Sequence, residues 1–287
     1  MKAGDCIDND ELRIYRGEDF VVSKHIVLHQ PTLNEIADYG EREYYSMVYQ
    51  LTSTPQSMKW QLWDMGVDYT KITPFELFYS VLYKLYPWQS TSILFGNLDF
   101  SKFQVMQRKE DKSVFLYQRI KREQDTKRKA GVLPTLLAKL RGLFSNTSTD
   151  ISDDTIYDEI IIDEYTYTVI MDYLRQVHAI EKDEKIPANE STKMILIEDA
   201  REEYEKNKHK EYHSQLKNFV SSMVNCEGFK YNHSQVWDMK INAFMDSVRR
   251  ISKIKNAELL LQSGYSGFGV NLKEIDKKQL EWLGELD

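Results

Sequence analysis

The chain has 287 residues, 41% apolar and 29% charged, which suits a folded protein with one large domain or two of ordinary size. Its formal net charge of −7 argues against a general polyanion binder, so nucleic acid is not an expected partner. Cys6 and Cys226 are the only cysteines, too few for a disulfide framework, and no run of about 18 apolar residues offers a membrane span.

The opening MKAGDCIDNDELRIY carries no apolar signal core, so a reducing, cytoplasmic compartment is expected. Leu12 to Val22 reads as two short strands around Gly17, and His25–His29 as a third. Thr32 and Glu35 have capping-box spacing and open a helix expected to run through Gly40 to about Leu51. Thr54-Pro55 starts another helix, which carries Trp60 and Trp63 and stops near Gly66. Thr73-Pro74-Phe75-Glu76 combines a capping box with proline at the first helical position and opens a helix apolar nearly all round, ended by Pro87. Ser92–Phe95 and Phe103–Gln107 read as strands, and Ser113–Tyr117 as the return strand of a hairpin through 109–112. Residues 1–118 are thus expected to form an N-terminal α+β unit.

The composition then changes. Between Arg119 and Arg141 stand eight basic residues and two acidic ones, a local net of +6, followed by the polar run Ser145–Asp150. Segment 119–150 is read as a basic, mobile insertion or linker, with Lys121, Arg122, Lys127, Arg128 and Lys129 as candidate contacts to an acidic partner. From 151 to 287 a mainly helical C-terminal unit is expected. Ile160–Ile162 ends a strand, and Asp163 caps a helix whose apolar residues return at helical spacing to Val177. Residues 182–189 form a loop; further helices cover about 194–208 and 211–225. Asn232 and Gln235 have capping-box spacing ahead of VWDMKINAFMDSVRRI, where Trp237, Ile241, Phe244, Met245, Val248 and Ile251 make one apolar stripe with Arg250 on the opposite face. Such a stripe either closes the core or grips a partner, so Trp237, Ile241, Phe244, Met245, Val248 and Arg250 are the candidate partner-binding residues. Gly264, Gly267 and Gly269 are expected to break the chain, and Asp276 to start a last short helix. The fold class is α+β and mostly helical, with a small N-terminal sheet region.

No catalytic pattern stands out. Gly264-Tyr-Ser-Gly-Phe-Gly269 departs from the dinucleotide and Walker spacings. His209 and His213 have the i, i+4 spacing of zinc ligands on a helix, without a third ligand nearby. Asp153, Asp154, Asp158, Glu159 and Asp163 form an acidic cluster able to suggest a divalent metal, although a linker and a helix N-terminus favour acidic residues anyway. No catalytic residue, metal or cofactor is assigned.

The stretch SSMVNCEGFKYNHSQVWDMKINAFMDSVRRISKIKNAELLLQSGYSGFGVNLKEIDKKQLEWLGEL resembles structural-module proteins of tailed phages of Gram-positive bacteria, often tail assembly chaperones. HQPTLNEIADYGEREYYSMV and LWDMG are similar to the same set. The resemblance implies a non-enzymatic protein in the host bacterial cytoplasm that coats the tape-measure protein before the tail tube polymerises. It carries no active residues. A virion subunit of the tail, baseplate or connector is the alternative, a homo-oligomer is compatible with either, and a metal-dependent phage enzyme is the outside reading.

Overall fold

The computed structural model describes residues 11–121 except 86, and 157–287 except 267, 268, 270, 273, 285 and 287. The fold is α+β and mostly helical, with small sheets in the first part and helices dominating the rest.

Leu12–Val22 does not form two strands. A short helix α1 (Glu11–Tyr15) comes first, then β1 (Phe20–Ser23), which pairs antiparallel with β2 (Ile26–Leu28). Gly17, at φ 74, ends α1. Its N–H donates to the Ile14 carbonyl, and the Glu18 N–H to that of Arg13, the paired closure that a left-handed glycine gives a helix end. The glycine that looked like a turn between strands is a helix stop.

The Thr32 capping box forms as expected: Glu35 N–H donates to the Thr32 hydroxyl, and Thr32 N–H donates to the Glu35 carboxylate. The helix does not run to Leu51. It breaks at Gly40 (φ 102) into α2 (Leu33–Tyr39) and α3 (Glu41–Leu51). A Cβ at residue 40 would lie 2.7 Å from a Glu43 carboxylate oxygen, so the corner suits a residue without a side chain. The helix predicted from Thr54 begins later, as α4 (Lys59–Asp64), because residues 54–57 close a turn through Thr54 and Ser57. α5 (Pro74–Leu77) has the expected box and proline, and continues as a π-helical turn, Phe78–Leu82. Ser92–Phe95 is not a strand but the end of α6 (Trp88–Phe95). A short apolar run has no period of its own to distinguish strand from helix.

β3 (Gln104–Gln107), β4 (Val114–Lys121) and β5 (Tyr157–Ile162) form an antiparallel sheet in the order β3-β4-β5. β4 runs past residue 118 and pairs with β5 from Leu116↔Ile162 to Lys121↔Tyr157. Residues on both sides of the 119–150 boundary therefore share one sheet. Residues 122–150 of the expected insertion lie outside the described residues.

Asp163 caps α7 (Glu164–His178), accepting from the Thr166 N–H at 3.0 Å. α7 is the hub of the core. Tyr173 stacks on Phe20 at 4.7 Å, Tyr167 lies 5.0 Å from Phe78, and the Tyr44 hydroxyl meets His178 Nε2 at 2.5 Å. Arg175 donates to the Thr52 carbonyl at 2.8 Å and pairs with Asp172 at 3.1 Å. Each contact fixes α7 either to its own turn or to an element from the first hundred residues, so one core holds both parts of the chain.

α8 (Glu190–Asn207) packs on α4, with Lys193 buried between Asp68 (3.1 Å) and Glu190 and an Arg201–Asp64 ion pair further along. The Thr70 hydroxyl first, then its backbone N–H and Lys193, hold the Asp68 carboxyl far below the usual carboxylate range. α9 (Gln215–Val224) starts at Ser214, later than the expected 211. Asn232 and Gln235 do bond reciprocally, but they open a 3₁₀ turn, Val236–Asp238. The long helix α10 (Ile241–Tyr265) begins only at Ile241 and passes through Gly264 without breaking. A last turn α11 (Lys277–Leu280) is capped by Asp276.

Candidate interaction surface

The stripe on α10 mostly closes the core. Ile241 and Phe244 are fully buried, which corrects their assignment as partner contacts. Trp237 sits on the 3₁₀ turn, and with Met245, Val248 and Ile251 it packs half-buried against the core. The start of α10 is clamped to the N-terminal part: Ile241 N–H donates to the Pro31 carbonyl, and Leu33 N–H to that of Met239, both at 3.0 Å. Arg250 is also spent internally. One of its guanidinium nitrogens donates to the Trp282 and Gly284 carbonyls at 2.7 Å each, tying α10 to the C-terminal segment.

Of the basic candidates, Lys121 is exposed at the end of β4, while Arg122, Lys127, Arg128 and Lys129 lie outside the described residues. Asp153 and Asp154 of the acidic cluster also lie outside them. The other three diverge. Asp158 pairs with Lys24 and His25 at 2.5 and 3.0 Å, Glu159 accepts from the Tyr117 hydroxyl at 2.8 Å, and Asp163 caps α7. No three His, Cys, Asp or Glu side chains converge as a metal site among the described residues. His209 and His213 stand exposed in the loop between α8 and α9, not on one helix face.

The unassigned surface is the outer face of the second sheet. Strand alternation sends Leu116, Gln118, Ile160 and Ile162 inward, where they are buried. The same alternation and register put Gln104, Met106, Phe115, Tyr117, Arg119, Tyr157, Glu159 and Ile161 on the other side. Met106, Tyr157 and Ile161 are 44%, 38% and 41% exposed, which makes this a solvent-facing apolar and aromatic patch rather than a polar sheet face. Arg119 lies 4.4 Å over the Tyr157 ring and Arg108 5.5 Å over that of Phe115. The hydrogen bond to Glu159 raises the Tyr117 pKa above its ordinary value. The alternation Phe115-x-Tyr117-x-Arg119 was readable in the sequence. Which side faces water was not, because that depends on β5, beyond the 35 residues from 122 to 156.

A concavity of about 1130 Å³ lies between α1, the end of α7, the polar face of α10 and the C-terminal segment. Arg175, Arg249 and Arg250 line it together with Glu11, Glu181 and Asp246. This balance selects no ligand charge.

The architecture thus defines a mixed α+β, mostly helical protein with an exposed apolar and aromatic sheet face. Residues 206–287 match the family model described as YomV second domain, a stretch that starts at the end of α8 and takes in α9, α10 and α11. No curated protein and no solved structure matches the chain.

Proposed function

We propose that this chain is a non-enzymatic tail assembly protein of a tailed phage, chaperone-like, binding the tape-measure or another tail protein in the host bacterial cytoplasm. The resemblance of the α2–α3 and α9–α11 segments to phage structural-module proteins supports the phage setting. The observation that carries a protein-binding role is the outer sheet face, where Met106, Tyr157 and Ile161 stay exposed beside Phe115 and Tyr117. Methionine and aromatic side chains suit shallow, adaptable contacts to a large client. A virion subunit of the tail, baseplate or connector would use the same face as a fixed contact. The metal-dependent enzyme is disfavoured because Asp158, Glu159 and Asp163 are each engaged by a different partner, Lys24 and His25, Tyr117, and the Thr166 N–H. Disrupting the reading frame in its phage should yield heads without full-length tails in electron micrographs, restored when the protein is supplied in trans. Normal tails in the disrupted phage would contradict the proposal.

A further inference from the structure

We propose that β3 takes an extended segment of a partner protein, rich in acidic and β-branched residues, as a fourth strand of the sheet. This deepens the reading above by giving its contact surface a partner chemistry, and it rests on that reading only for the partner's being a tail protein.

The backbone argument comes first. β3 lies at the edge of the β3-β4-β5 sheet. Arg108 N–H donates to the Ser113 carbonyl at 2.9 Å, in the same register that pairs Gln104 with Tyr117 and Met106 with Phe115. In an antiparallel ladder, bonded and unbonded pairs alternate. Val105 and Gln107 are therefore the unbonded positions, and their N–H and C=O groups point away from β4, toward an incoming strand.

The side chains make this edge unusual. Proteins blunt edge strands by keeping them very short, or with charged residues, proline or bulges; β3, at four residues, is short but has none of the other devices within the strand. β3 reads Gln-Val-Met-Gln, pairs with β4 in continuous register, and leaves Val105 and Met106 46% and 44% exposed on opposite faces. β5, the other edge, carries Asp158 and Glu159 within the strand and is blunted in the usual way. Among the described residues, β3 is the edge strand with no charged residue in it and no further strand beside it.

Charge selects the occupant. Residues 102–121 hold six basic side chains (Lys102, Arg108, Lys109, Lys112, Arg119, Lys121) against two acidic ones (Glu110, Asp111); Lys102 pairs with Asp99 and Arg108 with Asp163, which leaves an excess of two positive charges on a chain of net −7. An incoming strand flanked by carboxylates complements this hairpin, and β-branched residues match the exposed pleat. A single-stranded nucleic acid fits less well, because Arg108 and Arg119 already cover the Phe115 and Tyr157 rings that bases would stack on.

The test is to pan a displayed library of random short peptides on the full chain and on Val105→Pro. That substitution removes an outward N–H and leaves the β4 ladder intact. The proposal predicts enrichment of peptides alternating Val, Ile or Thr with Asp or Glu, and about tenfold weaker binding to Val105→Pro. Lys109→Glu, which leaves the strand unchanged, should weaken the same peptides and shift selection away from acidic residues. No enrichment, a basic consensus, or peptides that bind Val105→Pro equally well would overturn the proposal. So would tight binding of a single-stranded oligonucleotide, or a concentration-dependent dimer abolished by Val105→Pro, which would assign the edge to a second copy. All these outcomes are read on the purified protein, whereas the assembly role is read from tail morphology, so either can fail alone.

Discussion

Phe244→Ala is expected to lower the stability of the folded chain by about 3–5 kcal/mol, read from the midpoint and slope of urea unfolding. Phe244 is fully buried in the core, on α10, a helix that packs against α7 and α1. Truncation removes its burial free energy and leaves a cavity walled by helices that are tied elsewhere and cannot collapse inward. α10 is clamped at its start through Pro31 and Met239 and farther along through Arg250. Folded domains have only about 5–15 kcal/mol in reserve, so the loss is a large share of the total. Ile161→Ala on the exposed sheet face supplies the contrast and should stay within about 0.5 kcal/mol of the parent. Near-parental stability of Phe244→Ala, coupled to loss of a bound partner, would return the α10 stripe to the role of docking surface.

Stability should also fall as the pH drops from about 6.5 toward 4, with His178 as a principal cause. His178 is buried, and desolvation lowers its pKa from 6.5 to about 4. Its Nδ1 lies 2.7 Å from the Leu174 carbonyl and its Nε2 2.5 Å from the Tyr44 hydroxyl. The carbonyl only accepts, so Nδ1 carries the proton and Nε2 accepts from Tyr44. Protonation would place a second N–H against that hydroxyl and a charge in the core. Because the folded pKa lies below the unfolded one, the unfolded chain binds the extra proton first. This group's contribution is complete above about pH 6.5 and declines until the folded pKa near 4 is reached, a loss of about 3 kcal/mol from this residue. Urea titrations at pH 7, 5.5 and 4.5 should show the decline, and His178→Gln should flatten that part of the profile while lowering stability at pH 7. A parental slope in His178→Gln would place the titration elsewhere.

Features set within four residues were legible in the sequence. The Thr32–Glu35 and Thr73–Glu76 boxes and the Asp163 cap form where local chemistry puts them, and the hairpin expected over 103–107 and 113–117 forms too, with its second strand running on to Lys121. Misreadings arose where one residue type serves two geometries. A glycine can turn a chain between strands or stop a helix, and Gly17 does the second; α10 ends at Tyr265, one residue past the expected break at Gly264. Asn232 and Gln235 form their bonds, but over a 3₁₀ turn, so the helix starts later. What joins distant residues was invisible: Tyr44 with His178, Lys193 with Asp68, and the β4–β5 ladder across the basic segment. The candidate surface depends on that ladder. The residues that drew attention in the sequence, on α10, are instead occupied by core packing and by the C-terminal segment.

The assembly reading is tested most directly by quantitative mass spectrometry of purified mature particles against the lysate of infected cells. A chaperone-like assembly protein should be abundant in the lysate and absent from particles. Fixed stoichiometry in the particles would contradict the chaperone role and make the chain a virion subunit, and absence from both would remove it from phage assembly.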